Sequence, residues 1–289
     1  MPYVTSHGVQ LYFEEAGSGE PILFIHEFAD DLRSWELQMS YFSRRYRCIA
    51  YNARGYPPSD IPEKQQEYSQ NLATDDIANV LKGLGLKKAH VVGLSMGSFA
   101  ALHFGIRYPE MAFSITVAGT GYGALSENHE QLQQEARTRA DLLENEGFGE
   151  NGGTYALTPP RLTFKKKDPR GWLAFAKRLS EHSALGSAQT LRGVQAQRPG
   201  FAEMEKDLKK FAVPLLLIAG DEDDPSLEAT LFLKKTVPSA ALWVFPKTGH
   251  SMNLEEPDLF NKALQDFISA VSANRWEIRD LRNQSNKML

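Results

Sequence analysis

The strongest constraint on how this chain can fold is a series of short apolar runs, rich in β-branched residues and without polar alternation. They fall at Pro21 to His26, Tyr46 to Tyr51, Ala89 to Leu94, Ser114 to Ala118, Val213 to Ala219 and Ala241 to Phe245. A strand that is apolar at every position, rather than at every second one, has both faces covered. Helical patterns separate these runs. Ile77, Val80, Leu81 and Leu84 repeat at i, i+3, i+4 and i+7, and Leu259, Phe260, Ala263, Leu264, Phe267, Ile268 and Val271 do so again near the end. Asp75 and Asp76 are expected in the first turn of the earlier helix, where they would complement its dipole. Strands alternating with helices predict an α/β fold with a mostly parallel central sheet and helices on both faces. Val9 to Phe13 alternates more clearly and is expected as an antiparallel edge strand. Gly17-Ser18-Gly19 lacks the length and the lysine of a phosphate-binding loop and is expected as a hairpin turn.

With 289 residues the chain has room for one large domain carrying an insertion. The strand and helix alternation fails from Gly121 to Lys210, which is charged and helical in pattern, with a break at Gly147 to Pro160. Helices are expected over Glu127 to Glu146, Pro169 to Ser183 and part of Ser187 to Gln197. The expected division is a core of residues 1–120 and 211–272, an inserted helical cap over 121–210, and a tail over 273–289. That tail is polar apart from Trp276 and Ile278, and three readings stay open for it: a surface helix, a homodimer contact or a frayed end.

Lys plus Arg number 32 and Asp plus Glu 36, a net charge of -4 with no long run of one sign. That argues against a nucleic-acid or anionic-membrane partner and leaves a small-molecule substrate as the expected one. Lys165, Lys166 and Lys167 form the densest basic run and read as a solvated turn. Cys48 is the only cysteine, so no intrachain disulfide can form, and its apolar setting suggests a buried structural thiol. No basic start leads into an apolar stretch, and no segment approaches the roughly 20 apolar residues that span a bilayer. A cytoplasmic setting is the expectation.

The chemistry concentrates at Gly93-Leu94-Ser95-Met96-Gly97, where a buried strand runs directly into a helical pattern. This is G-x-S-x-G, in which a serine on a tight turn lifts its hydroxyl out of the sheet while small flanking residues let strand and helix approach. A serine hydroxyl is a poor nucleophile at neutral pH, so the reading requires a histidine base and an acid, in the chain order Ser, Asp or Glu, His. Downstream, Val213 to Ala219 ends in Gly220-Asp221-Glu222-Asp223-Asp224-Pro225, and Ala241 to Phe245 leads to Gly249-His250-Ser251. Both follow C-terminal strand ends, where ligand sites of open α/β sheets lie. Of the seven histidines, His250 alone joins this order to a glycine-preceded loop. His103 reads as a packed or helix-surface residue. No histidine or cysteine spacing suggests a metal site, and no cofactor is implied.

Taken together, Gly93 to Gly97, Asn52-Ala53-Arg54-Gly55-Tyr56-Pro57-Pro58-Ser59, the acid loop and Gly249-His250 with Glu255-Glu256-Pro257 resemble the α/β-hydrolase-fold superfamily, of the lidded serine esterase type. The resemblance runs from about Val9 to Val271 and implies a triad of Ser95, Asp223 and His250. Asp221 and Asp224 remain alternatives for the acid. It also implies an oxyanion hole made by the backbone N–H groups of Met96 and Phe28. One departure stands out: the common His-Gly pair after the first core strand is His26-Glu27 here. Glu27 is expected to pair with a cation such as Arg54, and His26 to brace the loop. Glu27, Tyr122 and Trp172 are the candidate substrate contacts, and Phe28, Trp35, Phe164 and Phe175 are further aromatics open between pocket and core. The implied activity is cleavage of a small or medium carboxylic ester, lactone or thioester through an acyl-enzyme. An enol-lactonase or carbon-carbon bond hydrolase of aromatic breakdown, or a ligand receptor on the same scaffold, are the alternatives.

Overall fold

In the computed structural model, which describes residues 2–125 and 129–280, eight strands form one sheet: β1 (Tyr3–Ser6), β2 (Val9–Ala16), β3 (Pro21–Ile25), β4 (Arg47–Tyr51), β5 (Ala89–Leu94), β6 (Ala112–Ala118), β7 (Leu215–Gly220) and β8 (Ala240–Phe245). Their spatial order is β1-β2-β4-β3-β5-β6-β7-β8. β1 with β2 and β2 with β4 are antiparallel, and the remaining neighbours are parallel.

Three expectations change here. The alternating segment Val9 to Phe13 is antiparallel but is not the edge, because β1, four residues long and too short to show a pattern, lies outside it. Gly17 to Gly19 is not a hairpin turn either, since β2 pairs with β4 rather than with β3. Glycine is needed there for another reason: Gly17 sits at φ +81°, and a Cβ on it would lie 2.3 Å from the carbonyl oxygens of Ser43 and Tyr46. The hairpin is built by His7 and Gly8, between β1 and β2. β7 also begins two residues later than its apolar run, at Leu215, because Pro214 has no N–H for the ladder.

The two-sided burial shows in the side chains of single strands. On β3, Leu23 and Ile25 face one layer with Val80, Leu81, Phe99, Leu102 and Leu217. Ile22 and Phe24 face the other, with Trp35, Phe42, Phe260, Leu264 and Phe267. The first layer is closed by α2 (Gln70–Gly83), which starts too early for Asp75 and Asp76 to fall in its first turn, and by α3 (Met96–Arg107), the second by α1 (Glu36–Phe42). Cys48 is buried in the second layer, and burial pushes its thiol up to about 12, which leaves it unreactive at neutral pH.

Between β6 and β7 the chain leaves the sheet and forms α4 (His129–Glu146), α5 (Pro159–Lys167), α6 (Pro169–Ser180), α7 (Ala184–Thr190), continued by a wide turn over Leu191–Gln195, and α8 (Phe201–Leu208). The expected start of the first of these helices, Glu127, lies outside the described residues, and α6 stops three residues short of Ser183. Lys165, Lys166 and Lys167 are not a turn but the last turn of α5, where cations favour the helix dipole. A third apolar cluster joins this segment to the sheet, with Phe28, Tyr56 and Met96 below and Leu143, Phe148, Phe164, Phe175 and Leu179 above.

After β7 come α9 (Asp224–Thr236), then β8, the short α10 (Met252–Glu255) and α11 (Pro257–Ser272), which packs on the second layer. Residues 273–280 are not helical, and Trp276 folds back on its own chain: its ring lies 4.5 Å from that of Phe267, and its Nε1 donates to the Ser239 carbonyl at 2.9 Å. The rest of the expected tail, 281–289, lies outside the described residues. No helix among the described residues is long and apolar enough to cross a membrane.

Candidate active site

Ser95 occupies the junction of β5 and α3 at φ +53°, ψ -112°, outside the regions an L-residue ordinarily adopts. A conformation of that kind costs on the order of 1–3 kcal/mol and persists only where its surroundings enforce it. Here the surroundings are backbone: a Cβ on Gly93 would lie 2.2 Å from the Gly97 carbonyl oxygen, and one on Gly97 would lie 2.3 Å from that of Ile25. The Ser95 N–H donates to Ala118 of β6 at 2.8 Å, which ties the turn to the sheet. Met96 is the first residue of α3, so its N–H has no acceptor within the helix.

The acid and the base arrive on the two loops that leave β7 and β8. Asp223 Oδ2 lies 2.6 Å from His250 Nδ1, a charge-assisted contact between buried side chains. The neighbouring acids are placed differently. Asp221 accepts the Thr248 N–H at 3.1 Å and braces the histidine loop, while Asp224 is exposed at the start of α9. Burial opposes the imidazolium, yet the Asp223 carboxylate outweighs it and holds His250 above its ordinary value. Burial likewise opposes ionisation of Asp223, and the charge and hydrogen bond of His250 overcome it, keeping the carboxyl below its usual range. With Nδ1 engaged by Asp223, Nε2 is the nitrogen left to exchange a proton.

Ser95, Asp223, His250 and Phe28 line one cavity of about 520 Å³, roofed from the segment between β6 and β7 by residues that include Tyr122, Leu132, Arg161, Leu191 and Arg198. Trp172 does not reach it. Its Nε1 donates to the Ala156 carbonyl at 3.0 Å and Lys165 lies 4.3 Å over its ring, so it packs the segment's own interior. Trp35 is buried under the sheet, and Phe164 and Phe175 pack on each other above it.

Glu27 pairs with a different cation from the one expected. Arg54 is spent on Asp76 of α2, through Nε to Oδ2 at 2.8 Å and Nη2 to Oδ1 at 2.6 Å. The partner of Glu27 is Arg161 of α5, through Nη1 to Oε1 at 2.7 Å and a second contact from Nη2 to Oε2. The Arg161 guanidinium holds Glu27 below the usual carboxylate range even though burial pushes the other way. Nothing local to Arg161 marks this pairing, because 134 positions separate it from Glu27. The one signal was Glu27 itself, a carboxylate where a glycine is common, which demands a cation without saying which. His26 braces its loop as expected: Nε2 accepts the Ala53 N–H at 3.0 Å and Nδ1 contacts the Glu27 carbonyl at 2.6 Å. His103 is a packed residue, stacked 5.1 Å from Phe99 and pushed down to about 4, chiefly by burial. No group of three or more histidine, cysteine or acidic side chains fit for a metal ion occurs among the described residues.

A sheet of this order with a strained serine at the end of β5 and an Asp-His pair at the ends of β7 and β8 defines a class of hydrolases. The family model described as the alpha/beta hydrolase family matches residues 22–263, and the chain belongs to that family and is an α/β-fold hydrolase. Among curated proteins it is 28% identical over 268 residues to 3-oxoadipate enol-lactonase 2 of Acinetobacter baylyi, covering 91% of this chain and 94% of that one. It is 25% identical over 273 residues to a putative 2-succinyl-6-hydroxy-2,4-cyclohexadiene-1-carboxylate synthase of Bacillus subtilis, with 92% and 97% covered. The same fold is seen in a thermophilic esterase from Thermogutta terrifontis, at a TM-score of 0.82, 24% identity and coverage of 93% and 98%.

Proposed function

We propose that the protein hydrolyses a small or medium carboxylic ester, lactone or thioester through an acyl-enzyme, with Ser95 as nucleophile, His250 as general base and acid, and Asp223 as the residue that orients the imidazole. The observation that carries this reading is the shared cavity: the strained serine and the Asp223 to His250 pair open onto one space of about 520 Å³. A volume of that order suits a compact ligand. Ser95 Oγ attacks the carbonyl carbon as His250 Nε2 takes its proton, and the carbonyl π pair moves onto oxygen. Collapse of that intermediate expels the alcohol, which receives the proton from His250. Water then repeats the sequence on the acyl-enzyme and releases the acid. The Met96 and Phe28 N–H groups serve the oxyanion, and each such donor is worth about 2.7–4 kcal/mol in systems where one was removed. The segment over residues 121–210 acts as the cap that closes the site, and the enzyme works in the cytoplasm without a cofactor. The enol-lactonase of Acinetobacter baylyi, similar over nearly its whole length, favours a lactone among the candidate substrates.

Ser95→Ala tests the reading. Turnover of p-nitrophenyl acetate is expected to fall by about six orders of magnitude, as for other serine nucleophiles, and the mass shift left on the wild-type peptide by a fluorophosphonate is expected to vanish. Retained turnover together with a label elsewhere overturns it. A panel of esters, enol-lactones and β-diketones then separates ester and lactone cleavage from carbon-carbon cleavage.

A further inference from the structure

The cap in this chain is joined to the reacting groups as well as placed over them. Glu27 belongs to the loop that follows β3, next to Phe28, whose N–H the proposed oxyanion hole uses. Ser251 follows His250 directly. The Arg161 guanidinium reaches both: it grips the Glu27 carboxylate with two nitrogens, and its Nη1 also donates to Ser251 Oγ. All three residues are buried, Arg161 at 2% exposure, Glu27 at 1% and Ser251 at 0%, so the contacts lie away from competing water. The backbone of α5 adds a further tie: the His250 N–H donates to the Pro160 carbonyl at 3.0 Å. Gly249 makes that approach possible, since a Cβ there would lie 2.5 Å from the Pro160 oxygen and 2.2 Å from Thr163 Oγ1. A core built on His-Gly has no carboxylate at position 27 for the cap to hold.

We propose that Arg161, although carried by the cap, is a positioning residue for catalysis, which clamps the oxyanion loop at Glu27 and the histidine loop at Ser251 in a single register. This rests on the serine-hydrolase reading above. It explains the departure from His-Gly at Glu27 and makes an ordered cap a condition of an ordered site. Bidentate arginine contacts fix direction as well as distance, and a misplacement of about 1 Å at a reacting group costs on the order of 100-fold in rate.

The charged groups facing His250 are Asp223 from the loop after β7, Glu27 from the loop after β3 and Arg161 from α5. Glu255 of α10 accepts the adjacent Gly249 N–H at 2.9 Å, with Lys167 Nζ 4.0 Å away from that carboxylate. Among these, the Arg161 cation disfavours the imidazolium and Glu27 favours it. Since the base must be neutral to act, removing each moves the acidic limb of kcat/KM in opposite directions.

The test uses Arg161→Met, Arg161→Lys and Glu27→Gln in the full chain, with kcat, KM and the pH profile measured on one activated ester and fluorophosphonate labelling used to count competent sites. The expected result for R161M is a kcat lower by about 100-fold with KM little changed, an acidic limb moved to higher pH, and partial recovery in R161K. E27Q is expected to move the limb to lower pH. Should R161M fail to fold, E27Q decides the matter by a lowered kcat with its limb moved to lower pH, and R161K by a smaller kcat loss with its limb in place. A folded R161M with wild-type kcat overturns the proposal, as does a loss confined to KM, which marks a substrate contact. Limbs that stay in place in both variants also overturn it, leaving a brace for the fold alone. A wild-type chain that fails to label at Ser95 overturns instead the reading on which the proposal rests.

Discussion

The two faces of the sheet and the junction between the sheet and the helical segment from α4 to α8 are held by different physics. Phe24, Trp35, Phe42 and Phe260 on one face, and Leu23, Phe99, Phe104 and Leu217 on the other, form apolar layers in which area removed from water sets the stability. Such burial carries no direction. The junction has an apolar cluster too, around Phe28, Tyr56 and Phe164, but paired charges cross it: Glu27 with Arg161, Asp30 with Arg178 through contacts of 2.6 and 2.9 Å, Arg33 with Glu181 at 2.8 Å, and Lys167 with Glu256 at 2.5 Å. The lesson is where direction is needed. Apolar contact fixes no orientation, whereas the proposed proton transfer between Ser95 and His250 requires one, and the loop after β3 that borders their cavity carries the paired carboxylates Glu27 and Asp30.

Asp223→Asn should have the largest effect, lowering kcat by about 10⁴ through a wrongly held imidazole. Asp224→Asn keeps the Asp223 to His250 contact and should cost far less, and the reverse ranking in steady-state kinetics reassigns the acid. Phe24→Ala probes the apolar layers. Phe24 has no exposed surface and its ring lies 5.1 Å from Trp35. A loss of about 3–5 kcal/mol in urea unfolding is expected, and a loss below about 1 kcal/mol removes the contrast between layers and junction.

Arg178→Met sharpens the comparison from the side of α6, with a cost of about 1–3 kcal/mol for the orphaned partner. Its pH dependence follows from Asp30, whose carboxyl burial pushes up to about 6 against the pull of Arg178. Without the arginine the value rises further. A carboxyl whose folded-state pKa exceeds its unfolded one loses stability as pH climbs through the folded value, so the deficit of this variant should be larger near pH 8 than near pH 5. A deficit that shrinks on raising the pH, measured by urea unfolding at both, contradicts the assignment.

Much of this was legible in the linear chain because the signals are local. Strands β3 to β8 were marked by apolar runs, and Gly93-Leu94-Ser95-Met96-Gly97 carries part of its steric requirement locally, since Gly93 faces the carbonyl of Gly97, whereas Gly97 faces that of Ile25 on β3. The order of Ser95, the acid loop and His250 was likewise readable. What failed to show was short or distant. β1 is too brief for a period, the Gly17 turn looked like a hairpin because pairing partners leave no mark on a turn, and Trp172 gave no sign of which way its helix would face. Among Asp221, Asp223 and Asp224 the motif favoured one, but only the geometry shows which carboxylate meets His250.

Residue chemistry in the chain was thus enough to set an α/β layer structure, a serine raised on a strained turn, and a histidine and an acid loop downstream of it, because hydrophobic period and backbone sterics act over a few residues. Which cation answers Glu27, which acid reaches the imidazole and which aromatics face the cavity were settled by packing alone. Those choices join residues as far apart as positions 27, 161 and 251, and a pairing across such distances exists only once the helices between β6 and β7 have docked on the loops of the sheet.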